Sequence, residues 1–266
     1  MRHLGLDVGA TYVKWVVLER DEIVADGKFD TRAANGPDAV VERLVSVGPA
    51  AGAVDTVGIG VPGLFDAARG AATFLPNMPG DWSRIPLTAR VGDALGAPAA
   101  LINDARAFAL AESALGAARD CDTAVFVAVG TGVGGGITVG GRFHEGREGR
   151  AGEIGHLTIA EKGPLCTCGN RGCLEAFVRE ALRARRLRRA GQLLGIGIAN
   201  AIVLLAPDLV VVGGGVGSVG ERLLAPIRHE VKRRVHVSVP VEVVQAELGV
   251  RAGAVGAALR GAALAA

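Results

Sequence analysis

Between residues 153 and 175 the chain gathers three thiols, an imidazole and two carboxylates: Glu153-Ile-Gly-His156, then Cys166-Thr-Cys168-Gly-Asn-Arg-Gly-Cys173-Leu-Glu175. A Cys-x-Cys pair, a third Cys after a glycine-containing turn and a His ten residues upstream have the number and softness of ligands that tetrahedral zinc takes. A shell closed by His156, Cys166, Cys168 and Cys173 leaves no position for a catalytic water. Zn²⁺ is therefore expected here as a structural staple for the loop that carries Glu153, His156 and Glu175. A disulfide or unpaired buried thiols are the competing outcomes for such cysteines.

Other short segments have the composition of a phosphate site. Asp7-Val-Gly9-Ala-Thr11 puts an acid at a strand end, followed by backbone amides and a hydroxyl in a tight turn, which suits Mg²⁺-bound phosphates. The same residues also make an ordinary turn. Gly130-Thr131-Gly132-Val-Gly134 repeats the pattern, and two such loops could clamp one polyphosphate chain. Gly213-Gly214-Gly215 follows an apolar run, where absent side chains let a flat nucleotide or its ribose reach the backbone, or simply let a strand turn into a helix. Asn103-Asp104 lies between an apolar run and a helical pattern. That is the place of an N-cap, and a carboxylate at a helix start is held as the anion, ready to accept a proton at neutral pH.

The run Gly-Glu-Ile-Gly-His followed by Cys-x-Cys-Gly-x-x-Gly-Cys-x-Glu resembles the signature of the ROK (repressor, open reading frame, kinase) family. The likeness extends from the first strand to the final helix. It implies a sugar kinase or a sugar-sensing repressor with ATP as the phosphoryl donor. By this resemblance Asp104 is the general base, and Asn103, Asp104, Glu153, His156 and Glu175 hydrogen-bond sugar hydroxyls, His156 using one nitrogen for zinc and the other for the sugar. Gly63 and Asn77, in Pro62-Gly63 and Asn77-Met-Pro-Gly80, fall in sugar-side loops. Asp7, Gly9, Thr11 and Lys14 correspond to the first phosphate loop, with Asp7 near Mg²⁺. Gly130, Thr131 and Gly132 correspond to the second loop, and Gly213, Gly214 and Gly215 to the adenosine side.

The match departs from the family pattern in three places. Ala10 stands where Gly-Gly-Thr is common, and Arg106 replaces a frequent Asn just after the base. Only about forty residues separate Cys173 from Gly213, where family kinases carry roughly thirty or more extra residues of helix.

The elements that must hold these residues follow an α/β pattern. Leu4 to Leu18 predicts a strand, a glycine turn and a returning strand, and Ala124 to Val139 repeats it, which suggests a duplicated architecture. Further strands are expected at Thr56–Val61, Ala99–Ile102, Leu209–Val212 and Val241–Val244. Helices are expected at 38–47, 105–115, 175–189, 192–205, 221–234 and 252–265, with a Pro/Gly-rich loop from Pro62 to Pro86. The resemblance implies the actin-like (ribonuclease H-like) fold, two lobes around a central cleft. Residues 1–114 would form the smaller lobe and 115–266 the larger, with a final helix 252–266 packing back on the first.

At 266 residues and 50% hydrophobic the chain can bury a core, which excludes disorder. Forty glycines without a fixed period exclude a fibrous chain. A net charge of +2 says little about partners; the basic run Arg179–Arg189 could touch nucleic acid but is expected as a solvated helix face, so no nucleic-acid partner is expected. Leu193–Val212 is broken by Pro207-Asp208, so it is expected as a buried helix and strand, with no membrane partner. Asp7 stands where a secretory leader needs apolar residues, and three of the four cysteines lie in one cluster, so a reducing cytoplasm is the expected location.

The expected function is ATP-dependent transfer of phosphate to the 6-hydroxyl of a hexose, with glucose leading on the Asn77-Met-Pro-Gly loop. N-acetylmannosamine, N-acetylglucosamine, fructose and allose are alternatives. The family's repressors add an N-terminal helix-turn-helix domain, whereas this chain enters its first strand by Leu4. A sugar-binding protein without turnover is the third alternative, and a homodimer is the state that the family implies.

Overall fold

The computed structural model describes residues 1–237 and 240–265. In chain order the strands and helices are β1 (Arg2–Val8), β2 (Tyr12–Glu19), β3 (Glu22–Asp30), α1 (Pro37–Val45), α2 (Gly48–Ala51), β4 (Thr56–Val61), β5 (Leu64–Asp66), β6 (Ala71–Phe74), α3 (Leu87–Leu95), β7 (Ala99–Asn103) and α4 (Asp104–Ala114). They continue with β8 (Ala124–Val129), β9 (Val133–Val139), β10 (Arg142–Phe143), α5 (Leu174–Arg183), α6 (Leu187–Leu205), β11 (Leu209–Gly213), α7 (Gly214–Gly217), α8 (Glu221–Arg234), β12 (Glu242–Gln245) and α9 (Ala252–Ala262). The chain forms two compact units, Met1–Ala111 with Arg251–Ala266, and Glu112–Val250.

Each unit holds one five-stranded sheet, ordered β3-β2-β1-β4-β7 in the first and β10-β9-β8-β11-β12 in the second. In both, a three-stranded antiparallel meander is continued by two parallel strands. The duplication read from the two strand-turn-strand motifs is thus a duplication of sheet order and direction. β4 (Thr-Val-Gly-Ile-Gly-Val) is buried along its whole length, as a parallel strand covered on both faces must be. Leu4, Leu6, Val57 and Ile59 meet Leu44, Trp82 and Leu87 in the first core. Val125, Val127 and Val210 meet Leu194, Ile198, Leu223 and Ile227 in the second.

α9 packs on β1 and β4 at backbone distance. A Cβ at Gly5 would lie 1.9 Å from the Ala254 carbonyl oxygen, and one at Gly58 only 1.6 Å from that of Ala257, so glycine is the residue these positions admit. The final helix ends at Ala262, short of the expected 252–266, and Ala266 lies outside the described residues.

The structure corrects the expected local elements. The Pro62–Pro86 loop contains the β5–β6 hairpin, and β3 and α3 add elements that the periodicity did not mark. The basic run is not one helix, because α5 stops at Arg183 and α6 starts at Leu187. Arg185 N–H bonds the Leu182 carbonyl (2.9 Å) and Arg186 N–H that of Ala181 (2.8 Å), the two bonds of a Schellman ending. The left-handed position that usually takes glycine is filled by Arg185 (φ 55°), so the sequence carried no stop signal. Among the described residues no helix is long and apolar enough to cross a membrane.

Candidate active site

The first unit brings Asp7, Lys14, Asn103, Asp104, Gly63 and Asn77 onto one set of strand ends and loops. Asp7 and Lys14 are register partners in β1 and β2, and Lys14 Nζ lies 3.0 Å from Asp7 Oδ2. Lys14 engages one oxygen of the carboxylate; the other remains a hard oxygen donor of the kind Mg²⁺ takes together with substrate phosphates. The intervening loop is closed by Gly9 N–H to the Tyr12 carbonyl (3.0 Å). Buried Thr31 donates its hydroxyl to the Gly9 carbonyl (2.6 Å), and its N–H bonds the Thr11 carbonyl (2.9 Å). Thr31 escaped sequence reasoning because it sits 20 residues beyond Thr11 with no motif around it.

Asn103, and not Asp104, caps α4. Its Oδ1 accepts from Ala105 N–H (3.1 Å) and Arg106 N–H (3.3 Å), while its Nδ2 donates to the Gly63 carbonyl (3.2 Å). Gly63 is at φ 89°, where a Cβ would lie 2.3 Å from the Phe74 carbonyl oxygen. Asn77 is likewise left-handed (φ 62°), a conformation Asn tolerates better than most residues. Asn103 therefore ties the start of α4 to the Gly63 loop.

Asp104 is the first residue of α4, and its Oδ1 accepts from Ala105 N–H (2.8 Å). Burial raises its carboxyl to about 6, with the negative charge of Asp7 adding to the rise; the Ala105 hydrogen bond and the Arg106 charge oppose it. The helix start favours the anion, but desolvation outweighs it, leaving a carboxylate that is ionised at pH 7 and basic enough to take a proton.

The second unit assembles the other glycine loops and the thiol cluster. Gly130 N–H bonds the Gly132 carbonyl (2.9 Å), and nothing lies within 4 Å of a Cβ built on Gly130 or Gly215. Gly214 (φ 85°) packs on the end of β8, where a Cβ would sit 2.7 Å from the Val129 carbonyl oxygen. The Gly213–Gly215 turn thus lies against the strand that leads into Gly130-Thr131-Gly132. Glu175, in the first turn of α5, accepts from Val133 N–H at Oε2 (3.0 Å), joining the cysteine loop to the second glycine loop.

The ligating atoms of His156, Cys166, Cys168 and Cys173 all lie within 4.8 Å of one another. His156 Nδ1 is 3.6 Å from Cys166 Sγ, and Cys168 Sγ is 3.7 Å from Cys173 Sγ. Metal–ligand lengths of about 2.0–2.3 Å give tetrahedral edges of this size, so the residues fit zinc. All four cysteines are free thiols, which is not the disulfide alternative. His156 Nε2 faces Glu153 Oε2 at 3.9 Å, so the ring turns Nδ1 to the thiols and its other nitrogen to the carboxylate.

Two stretches of the chain, residues 3–192 and 181–260, match the model of the ROK family. The chain belongs to the ROK family. The glucokinase of Thermotoga maritima is 33% identical, over 97% of this chain and 96% of that one. A putative xylose repressor of Caldicellulosiruptor is 29% identical, over 88% of this chain and 71% of its own length. Among solved structures, the ROK hexokinase of Thermus thermophilus superposes with a TM-score of 0.87 at 31% identity, covering 100% of this chain and 99% of that one. The ROK family glucokinase of Streptomyces griseus, in complex with glucose and AMPPNP, gives 0.85 at 30% identity, covering 99% and 100%. The fold is accordingly the actin-like fold of the ROK kinases. The two family matches overlap at 181–192, a stretch that includes the α5–α6 junction.

Proposed function

We propose that this chain is an ATP-dependent hexose kinase that transfers the γ-phosphate to the 6-hydroxyl of glucose. The observation that carries the reading is Asp104, a partly buried carboxylate raised to about 6, held at a helix start beside Asn103 and the Gly63 loop. Its carboxylate takes the proton of the sugar hydroxyl as that oxygen bonds the γ-phosphorus and the bond from γ-phosphorus to the β-phosphate oxygen breaks, releasing ADP. Asn103, Glu153, His156, Glu175, Gly63 and Asn77 orient the sugar. Asp7, Gly9, Thr11 and Lys14, with Gly130, Thr131 and Gly132, hold the phosphates, and Gly213, Gly214 and Gly215 meet the adenosine. Mg²⁺, when bound with the nucleotide, supplies positive charge against the phosphate oxygens. His156, Cys166, Cys168 and Cys173 would hold Zn²⁺, which shapes the loop and takes no part in the transfer. Glucose and AMPPNP in the Streptomyces griseus glucokinase support the choice of sugar and donor.

The test is ADP release by purified protein with ATP, Mg²⁺ and a panel of glucose, fructose, allose, N-acetylglucosamine and N-acetylmannosamine. Release with glucose above the others is expected; silence across the panel removes the kinase assignment. Glu153→Ala and Glu175→Ala should each raise the glucose KM more than the ATP KM, and an effect confined to ATP would take these carboxylates out of the sugar site.

The pH dependence follows from Asp104. A base must be deprotonated to act, so activity is lost as pH falls through its pKa. The acid limb of kcat/KM is expected near pH 6, well above an ordinary aspartate. A profile flat down to pH 5 would remove this carboxylate from the rate.

A further inference from the structure

Asp7 is confined by an element far away in sequence. A Cβ built on Gly253 would lie 2.8 Å from both Asp7 Cγ and Asp7 Oδ2, and 3.1 Å from Oδ1. Gly253 is the second residue of α9, so the carboxylate rests on the first turn of that helix, where its positive end favours an anion. Asp7 is also held by Lys14, at 3.0 Å from Oδ2, and its side chain is only 14% exposed. The helix has no freedom to retreat or slide, because Gly5 and Gly58 seat the Ala254 and Ala257 carbonyls at backbone distance. On its outer side a Cβ at Gly256 would lie 1.7 Å from the Ala107 carbonyl oxygen, in the helix that begins with Asp104. Any side chain at position 253 must therefore displace the carboxylate and leave the helix where it is.

We infer that Gly253 is a positioning residue for the phosphate half of the site: the notch it leaves in α9 sets where the Asp7 carboxylate stands. The inference rests on the role proposed for Asp7 beside phosphate-bound Mg²⁺. Alanine is the better helix former, so on propensity alone Gly253→Ala would strengthen α9. Contact with a short, doubly held carboxylate reverses that expectation.

The experiment compares Gly253→Ala, Asp7→Asn, Asp7→Ala and the double variant Asp7→Ala/Gly253→Ala by steady-state kinetics, Mg²⁺ titration and thermal unfolding. Displacing the carboxylate is expected to lower the kcat of Gly253→Ala by about tenfold or more. Its half-saturating Mg²⁺ should rise and its glucose KM should stay near wild type. Wild-type kcat and Mg²⁺ dependence in Gly253→Ala overturn the inference. The unfolding midpoint gives a readout independent of turnover: Gly253→Ala should lower it in the wild-type background and leave it unchanged or higher in Asp7→Ala, where the clash is gone. Equal losses in both backgrounds place the steric cost elsewhere and overturn the inference. If Gly253→Ala does not fold, a folded double variant supports the notch, and a double variant that also fails to fold overturns it. Asp7→Asn with wild-type kcat and Mg²⁺ dependence instead removes the role assigned to Asp7, an outcome separate from the midpoint comparison.

Discussion

Asp104→Asn should lower kcat by about 10²- to 10⁴-fold, the usual contribution of a general base. The glucose KM should change far less. The amide is isosteric and its Oδ1 can still accept from Ala105 N–H, as the carboxylate does at 2.8 Å. It cannot hold the proton that the sugar hydroxyl must give up. The stability of the variant distinguishes this from simple damage. Because burial and Asp7 raise the carboxyl to about 6, the folded state binds that proton more tightly than the unfolded chain. At pH 7 the ionised group therefore costs stability, and that cost grows as pH rises from below 4 through about 6. Removing the charge should leave the unfolding midpoint unchanged or higher. A stable variant that keeps activity within tenfold of wild type would take Asp104 out of the base role.

Loss of the thiol cluster should strike the sugar and spare the chemistry. Cys173 is fully buried and precedes α5, whose first turn carries Glu175; Leu174 N–H bonds the Leu157 carbonyl (2.9 Å). Burial and the neighbouring thiols push the Cys173 thiol up to about 12, so without a cation it keeps its proton. Zinc must displace that proton, and its affinity should weaken as pH falls. Cys173→Ser is expected to purify without the one zinc per chain that elemental analysis should find in the wild type. Its glucose KM should rise about tenfold or more, because the loop that carries Glu153, His156 and Glu175 loses a zinc ligand. The path runs from the ligand into the first turn of α5, where Glu175, one of the carboxylates proposed to orient the sugar, stands. A zinc-free protein with the wild-type glucose KM would refute the staple.

The thiol cluster was legible because its ligands lie within 18 residues of one another, where spacing alone limits geometry. The duplicated strand-turn-strand was legible because β1–β2 and β8–β9 are central strands with dense apolar pattern. β3 was not, since its exposed and half-buried positions alternate through Ala, Asp and Gly, a weak signal at a sheet edge. The α5–α6 turn hid behind Arg185 in a glycine's place. The tertiary ties were hidden for another reason. Thr31 with Gly9, Asn103 with Gly63, Glu175 with Val133 and Gly253 with Asp7 join residues 22 to 246 positions apart, and nothing local says which residue pairs with which. The raised carboxyl of Asp104 belongs to the same class, because its burial and the nearness of Asp7 exist only once the chain has folded.

The first unit is discontinuous, Met1–Ala111 completed by Arg251–Ala266, whereas Glu112–Val250 is a single run. During synthesis the ribosome delivers β1 and β4 early and the helix that covers Gly5 and Gly58 last. About 140 residues intervene, on the order of ten seconds of elongation. Through that interval, while the second unit is still being made, the first sheet has an apolar face with no α9 against it. The unit that is begun first must therefore wait for the whole of Glu112–Val250 before α9 can cover Gly5 and Gly58.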